Sequence, residues 1–242
     1  MKVSITISAM ALNWQWWKQL ALQLEPMGFA SVFRGDHFPS GAPPMVDALE
    51  LISSLTYLAD HTQRMDIGSL VAPLSIHDPV MLARQAMCIN DLSGGRMILG
   101  VGAGWSEQEH IAFGYTLGTP KTRMDRLEEG LEIIHRLMRC EEPVSFQGRF
   151  FRLQEARLLP RPQRPTRILL GGKGPQRTLP LVARYADLWN CELGTPQEFQ
   201  QLSARLDDLL ISRGRALSDV RRTILIPVLC YHTPQELHLS VE

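Results

Sequence analysis

The sequence of 242 residues predicts a parallel α/β fold. Short β-rich runs alternate with longer segments of helical period, in units of about 30 residues, as in chains built from β/α units. The predicted strands are apolar enough to be buried on both faces, which is typical of parallel sheets. No linker interrupts the alternation, so we expect a single domain over residues 1–242. A doubly wound open sheet and a (β/α)8 barrel share this pattern, and periodicity alone does not separate them.

The first half of the chain contains four predicted strands with three helices between them. The run VSITIS alternates polar and apolar residues as a strand does. Asp47 is a candidate cap for the second helix, and Asp78-Pro79 combines a cap with a first-turn proline for the third. The strands are expected at Val3–Ser8, Ala30–Phe33, Met65–Val71 and Met97–Val101. The helices are expected at Trp14–Met27, from Asp47 onward, and from Asp78 to Leu92.

The second half begins with a long helix and a predicted insertion. Thr122–Arg139 carries apolar residues at helical spacing, which predicts the fourth helix. The segment VSFQGRFFRL after it predicts a β-hairpin that turns at Gln147-Gly148. The remaining strands are expected at Ile168–Leu170, Leu188–Asn190 and Thr223–Cys230. The remaining helices are expected at Pro175–Ala186, at Pro196–Arg213 and from Pro234 onward.

The composition excludes several classes of function. Lys+Arg and Asp+Glu both number 25, so the balance of charge predicts neither nucleic-acid binding nor attraction to an anionic membrane. No run reaches the roughly 18 apolar residues of a membrane helix, and the N-terminus lacks the features of a signal peptide. We therefore expect a cytoplasmic protein. The four cysteines lie far apart without a CxxC pair, which predicts buried reduced thiols and no metal site.

In either architecture the ligand site lies at the C-terminal ends of the strands, so the loops there are informative. After the second strand, His37 is a candidate acid–base group near neutral pH; alternatively it bonds only to Asp36 or to backbone. After the third strand, the small residues before Pro73 would let a flat ring approach the backbone. The alternative is that Pro73 simply ends the strand.

The loop after the fourth strand begins with the glycine-rich run GVGAG. It resembles a dinucleotide-binding fingerprint only superficially, because Trp105 occupies the place of the third glycine. Glycines there imply that the backbone approaches something closely or takes a positive φ. The polar residues that follow, Glu107, Glu109 and His110, either position a substrate or form a solvated loop.

The loop after the fifth strand has the composition of an anion site. The residues Gly171-Gly172-Lys173-Gly174 open a helix, and Arg177 follows closely. Free amides at a helix N-terminus, glycines and two cations favour a phosphate as the occupant. The spacing is not that of a Walker A loop, and an ordinary glycine-rich turn is the alternative.

Four stretches between residues 25 and 190 resemble the luciferase-like monooxygenase class, particularly its branch that uses the deazaflavin coenzyme F-420 (F420). The stretches are EPMGFASVFRGDHF, LVAPLSIHDPVMLARQAMCINDLSGGRMILGVGAGWSEQEHIAFG, TRMDRLEEGLEIIHRLM and ILLGGKGPQRTLPLVARYADLWN. The patterns GAGWxExEHxAFG and GG…RTLxLVARYADxWN are the most specific parts. The resemblance implies a TIM (β/α)8 barrel that binds F420 or FMN at the C-terminal mouth.

The resemblance also implies roles for individual residues. Ser69, Leu70 and Val71 correspond to a non-prolyl cis-peptide bulge behind the central ring, and Asp36 and His37 lie beside the ring. The other implied cofactor-binding residues are Ala103, Gly104, Trp105, Gly171, Gly172, Lys173, Gly174 and Arg177. His37 and Glu109 are the candidate catalytic residues, which handle the proton while a hydride passes between the ring and the substrate.

The resemblance has no counterpart for the family's eighth strand and closing helix, so we expect a barrel that lacks the last β/α unit. An open barrel exposes sheet edges, and the family often dimerises, so a homodimer or higher oligomer is expected. The aromatic residues Phe38, Trp105 and Phe113 favour a small organic substrate with apolar surface. The alternatives are an FMN-dependent monooxygenase using oxygen, a catalytically silent flavin-binding protein, and an unrelated sugar-phosphate barrel enzyme.

Overall fold

The computed structural model describes residues 2–39, 46–192 and 194–228. The strands are β1 (Ser4–Ile7), β2 (Ser31–Arg34), β3 (Asp66–Ser69), β4 (Ala72–Pro73), β5 (Met97–Gly102), β6 (Val144–Gln147), β7 (Arg152–Ala156), β8 (Arg167–Gly171), β9 (Leu188–Glu192) and β10 (Arg221–Leu225). The helices are α1 (Trp14–Leu24), α2 (Leu51–His61), α3 (Pro79–Leu92), α4 (Glu107–Ala112), α5 (Pro120–Arg139), α6 (Thr178–Tyr185), α7 (Pro196–Ser212) and a 3-10 turn at Leu217–Asp219.

The strands form a curled half-barrel surrounded by helices. The sheet runs in the order β1-β2-β3-β5-β8-β9-β10, with β4 pairing on β5, and its strand pairs are parallel. Each of the seven predicted strands contributes to this sheet, so the predicted α/β barrel type is confirmed. Within the described ranges β1 and β10 end the order and do not pair with each other.

The predicted hairpin is also present, after the fourth of the long helices. Strands β6 and β7 pair antiparallel, and Gln147 pairs with Arg152 next to the turn. The hairpin packs on α5 through a small apolar cluster of Ile133, Leu137 and Val144. It therefore sits outside the parallel sheet and leaves the β/α alternation intact.

Several predicted element ends are wrong; the first helix, expected to reach Met27, ends at Leu24. The second helix begins at Leu51 with Glu50 as its cap, because the Asp47 side chain instead accepts a hydrogen bond from Asn13 Nδ2. The helix expected from Pro175 begins at Thr178 after a turn. The last strand occupies Arg221–Leu225. Cys230 and the helix expected from Pro234 lie outside the described residues.

The core has two layers on either side of the sheet. The main cluster fills the space between the sheet and the helices, and includes fully buried Trp17, Leu55 and Trp189. A smaller cluster lies on the inner face of the half-barrel. It consists of Phe33, Ile98, Leu169 and Leu188, with Leu70 and Val71 packed against it. Because successive side chains of a strand point to opposite faces, every second residue of each strand points into the half-barrel.

The fold bears on the expectations about membrane spans, metal binding and cysteine burial. Among the described residues no helix is long and apolar enough to cross a membrane, and no group of side chains has the makeup of a metal site. The prediction of buried thiols holds for Cys191, but Cys88 and Cys140 are exposed. Cys88 lies in α3 with its side chain toward solvent, and Cys140 is the C-cap residue of α5 at the surface.

Candidate active site

Two loops at the C-terminal end of the sheet bring His37 and Glu109 together. His37 follows β2, whereas Glu109 lies in α4 after β5, 72 positions away in the sequence. Nδ1 of His37 lies 2.8 Å from Oε1 of Glu109, and the backbone N–H of Phe38 donates to Oε2 of the same carboxylate at 3.3 Å. Both side chains are largely buried, at 29% and 16% exposure. The two predicted catalytic residues therefore form one hydrogen-bonded pair.

The short helix α4, which the sequence pattern did not predict, fixes the direction of Glu109. Ser106 caps this helix by accepting from the Glu109 N–H. His110 is buried beneath it, with Nδ1 2.6 Å from the Ser106 carbonyl oxygen. The cap was visible as a serine followed by acidic residues, but six helical residues are too few for a periodic apolar stripe.

Asp36 belongs to a second histidine–carboxylate pair. Its Oδ2 lies 2.5 Å from Nε2 of His77, and the exposure of the side chains is 13% and 20%, respectively. His77 is held in a tight turn in which its N–H and that of Ile76 both donate to the Pro73 carbonyl. Adjacent residues of the β2 loop are thus tied in different directions, Asp36 to the β4–α3 turn and His37 to α4.

His77 is a site residue that sequence reasoning missed. It lies directly before the Asp78 cap of α3, so the signal was a histidine in a loop at the mouth end of the third unit. A single sequence does not reveal that this loop faces Asp36, because their contact joins residues 41 positions apart.

Aromatic side chains line the same corner. The rings of Phe38 and Phe113 stack with centroids 4.1 Å apart, and Tyr115 lies beyond Phe38 at 5.8 Å. The His37 ring meets the edge of Trp105 at 5.7 Å, and Trp105 is 73% exposed. The His37–Glu109 pair therefore adjoins an open apolar wall.

The glycine-rich run of β5 is explained by its neighbour in the sheet. A Cβ on Gly100 would overlap the carbonyl oxygen of Ser69, and one on Gly102 would lie 2.5 Å from Cγ2 of Val71. The hydroxyl of Ser69 accepts from the Gly100 N–H and donates to the Gly100 carbonyl, both at 2.8 Å. The Leu70–Val71 peptide bond is cis, within the predicted stretch. The close approach implied by these glycines is thus to the segment after β3.

The loop after β8 has an uncapped helix behind it. Gly172 has a φ of +117° and donates its N–H to the Asn190 carbonyl at 3.0 Å. In the described part of the chain, α6 is the one α-helix whose N-cap makes no side-chain hydrogen bond. Its first-turn amides are therefore not satisfied by a capping side chain.

Lys173 and Arg177 in this loop are engaged by acidic residues. Lys173 Nζ lies 3.3 Å from Glu198, and Arg177 binds Asp125 at 2.6 Å and Glu128 at 3.1 Å. The hydrogen bond that Arg177 donates to Asp125 is the main cause that raises the pKa of Arg177 above its ordinary value. The two predicted phosphate-binding cations thus already have carboxylate partners from α5 and α7.

The buried guanidinium of Arg34 supports the β2 loop from behind. It donates to the Ser8 carbonyl at 3.0 Å and the Leu49 carbonyl at 2.8 Å, and stacks over Trp17 at 4.9 Å. Burial lowers its pKa to about 10, against the opposing charges of Asp36 and Glu50. These contacts tie the end of β2, three positions before His37, to the segments that contain Ser8 and Leu49.

A family model described as luciferase-like monooxygenase matches residues 2–240. The chain belongs to this family. An F420-dependent glucose-6-phosphate dehydrogenase from Intrasporangium calvum is 32% identical over 216 residues, covering 85% of this chain and 62% of the relative. A 4-hydroxyprotoasukamycin monooxygenase from Streptomyces nodosus subsp. asukaensis is 34% identical over 150 residues, covering 61% of this chain and 39% of the relative. The chain thus spans less than two thirds of the length of these curated relatives.

Solved structures support the fold assignment. An F420-dependent secondary alcohol dehydrogenase in complex with an F420-acetone adduct superposes with a TM-score of 0.83 at 21% identity, covering 93% of this chain and 68% of that one. The long-chain alkane monooxygenase LadA superposes with a TM-score of 0.79 at 16% identity, covering 99% and 68%. At these identities the likeness concerns the arrangement of strands and helices.

Proposed function

We propose that this chain is an oxidoreductase that binds F420, or alternatively FMN, at the C-terminal ends of its strands and transfers a hydride between the ring and a small organic substrate. The observation that carries the proposal is the His37–Glu109 pair, which two distant loops assemble beside an aromatic wall. The similarity to an F420-dependent dehydrogenase makes F420 the first candidate coenzyme.

The residues around the mouth fit such a coenzyme. We assign the flat ring to Asp36, the Ser69–Val71 bulge and the Ala103–Trp105 segment, which follow the same strands as the histidine–carboxylate pair or lie in the neighbouring loop after β3. The loop Gly171–Gly174 and the uncapped N-terminus of α6 would hold the phosphate. Because Lys173 and Arg177 are ion-paired, we assign this task chiefly to backbone amides, with the two side chains setting the net charge around the loop.

The chemistry of the pair follows from its hydrogen bond. When bound, the coenzyme supplies a ring position that accepts or gives a hydride, C5 in F420 or N5 in FMN. Because the Glu109 carboxylate only accepts hydrogen bonds, neutral His37 carries its proton on Nδ1, and Nε2 is left as a base. For an alcohol substrate, the hydroxyl proton passes to Nε2 while the hydride leaves the carbon and a carbonyl forms. Glu109 stabilises the resulting imidazolium.

The monooxygenase alternative keeps a specific basis in the 34% identity to 4-hydroxyprotoasukamycin monooxygenase. In that case FMN and oxygen replace F420, and the same pair would manage protons. A flavin-binding protein without turnover is the third alternative.

From the family resemblance we also propose that the protein is cytoplasmic and forms a homodimer or higher oligomer. Light scattering of the purified chain tests the oligomeric state.

Parallel titrations of the purified chain with F420 and FMN, followed by fluorescence quenching, test the proposal. Micromolar or tighter binding of F420 with weaker binding of FMN is expected. Preference for FMN, with oxygen consumption by the reduced form, would support the monooxygenase alternative. Binding of neither coenzyme would refute the proposed function.

A further inference from the structure

The mouth of the half-barrel holds a second histidine–carboxylate pair that the proposed proton transfer does not use. Nε2 of His77 lies 2.5 Å from Oδ2 of Asp36. Because a carboxylate only accepts hydrogen bonds, a neutral His77 carries its proton on Nε2 and donates it to Asp36. Both side chains are largely buried, and the low dielectric of such surroundings strengthens a hydrogen bond. The pair is therefore a firm contact without an assigned task.

His77 belongs to a turn that is held from several sides. Its backbone N–H donates to the Pro73 carbonyl at 3.2 Å, and the Leu74 carbonyl of the same turn accepts from Nε of Arg126 at 2.7 Å. The next residue, Asp78, caps α3 by accepting from two N–H groups of its first turn. The turn is thus tied to β4, to α5 and to α3, so the position of the His77 side chain is well fixed.

Asp36 directly precedes His37, so a contact that holds the first residue limits the movement of the second. The loop leaves β2 after Arg34, and Gly35 has no side chain with which to anchor it. Asp36 is therefore the last side-chain anchor before His37, which Glu109 holds from α4. If the contact of Asp36 is lost, the backbone before His37 can turn, and we expect its bond to Glu109 to weaken.

We propose that His77 is a positioning residue: by holding Asp36, it keeps the imidazole of His37 in hydrogen-bond contact with Glu109. This inference rests on the proposed function, in which Nε2 of His37 takes the proton of an alcohol. A displacement of about 1 Å at a reacting group can cost about 100-fold in rate. Because the bond to Glu109 is loosened and not removed, we expect a loss of about tenfold when His77 no longer reaches Asp36.

Two amide variants that differ by one methylene test the contact. The NH2 group of His77→Gln lies where Nε2 lies and can donate to Asp36, whereas that of His77→Asn falls short of it. In the full chain labelled with 15N-histidine, nuclear magnetic resonance at pH about 8.5 shows which nitrogen of neutral His37 carries the proton. The wild-type chain and His77→Gln should show the Nδ1–H form that the bond to Glu109 selects. His77→Asn should show a mixture of the Nδ1–H and Nε2–H forms, and so should Asp36→Ala, which removes the other partner.

With an alcohol that the wild-type chain oxidises and with saturating F420, kcat should fall by about tenfold in His77→Asn and by no more than about threefold in His77→Gln. His61→Asn makes the same change at an exposed histidine of α2 and should leave both readouts unchanged. The inference is overturned if His77→Asn keeps either the wild-type proton state of His37 or the wild-type kcat, or if wild-type His37 carries its proton on Nε2. If the proton states are as expected but F420 does not bind, the proposed function fails while the positioning of His37 by His77 stands.

Discussion

The loops after β2 and β8 both looked like functional motifs, but their charged side chains are used in opposite ways. In the first, His37 and Asp36 each meet one side-chain partner, and the two histidine–carboxylate pairs stay at the mouth. In the second, Lys173 and Arg177 are neutralised by acids of the outer helices, and the backbone of the loop remains. The comparison teaches that a Lys or Arg in a glycine-rich loop is a good candidate for binding phosphate only where no neighbouring carboxylate forms an ion pair with it.

The largest effect is expected from breaking the first pair at its carboxylate. Glu109→Gln removes the negative charge that stabilises the imidazolium, and its amide can present either an oxygen or an NH2 group to Nδ1 of His37, so kcat should fall by about 100-fold. Steady-state kinetics with an alcohol that the wild-type chain oxidises measure this loss.

Glu107→Gln is the control for that change. It removes a charge from the same helix, two positions away, without a bond to His37. If it lowers kcat as much as Glu109→Gln does, the net charge of α4 matters rather than the pair.

A smaller effect on coenzyme binding distinguishes the contribution of the backbone from that of the side chains in the loop after β8. Gly172→Ala places a Cβ on a residue with φ of +117°, which should weaken coenzyme binding by about tenfold. Arg177→Gln should weaken it by no more than about threefold, because the guanidinium is already shared by two carboxylates. Fluorescence titration measures both, and a larger loss in Arg177→Gln would mean that this side chain turns to the phosphate.

The smallest effect concerns His135, which has no role in the site. Burial lowers its pKa below the ordinary value, and the neighbouring Arg139 lowers it further. As the pH falls below about 6.5, the unfolded chain takes up a proton at this position before the folded one, so the free energy of unfolding decreases. His135→Gln should reduce this acid-side loss in urea titrations. An unchanged pH dependence would mean that His135 gains its proton equally in both states.

The sequence pattern was a good guide to what is local or periodic. The seven strands, the Asp78 cap of α3 and the hairpin turn depend on neighbouring residues, and each is present. The second helix was started too early because Asp47, a good cap by type, is used by Asn13 instead. Such competition between partners is invisible in a single sequence.

The sequence indicated which loops form the candidate site, but not which side chains in them pair with one another. The ends of β2 and β5 were identified as chemical positions, and the structure joins them through His37 and Glu109. The partner of Asp36, His77, and the acids that occupy Arg177 lie 41 to 52 positions away. Their meeting depends on how helices pack on the sheet, which periodicity does not encode.

The most direct test of the central claim is hydride transfer by His37→Ala with the coenzyme bound. Single-turnover reduction of F420 by an alcohol that the wild-type chain oxidises should be about 100-fold or more slower in this variant, while the dissociation constant of F420 changes far less. His61→Ala, at an exposed histidine of α2, is the matched control and should retain the wild-type rate. Full turnover by His37→Ala with F420 bound would contradict the assignment of His37 as the base.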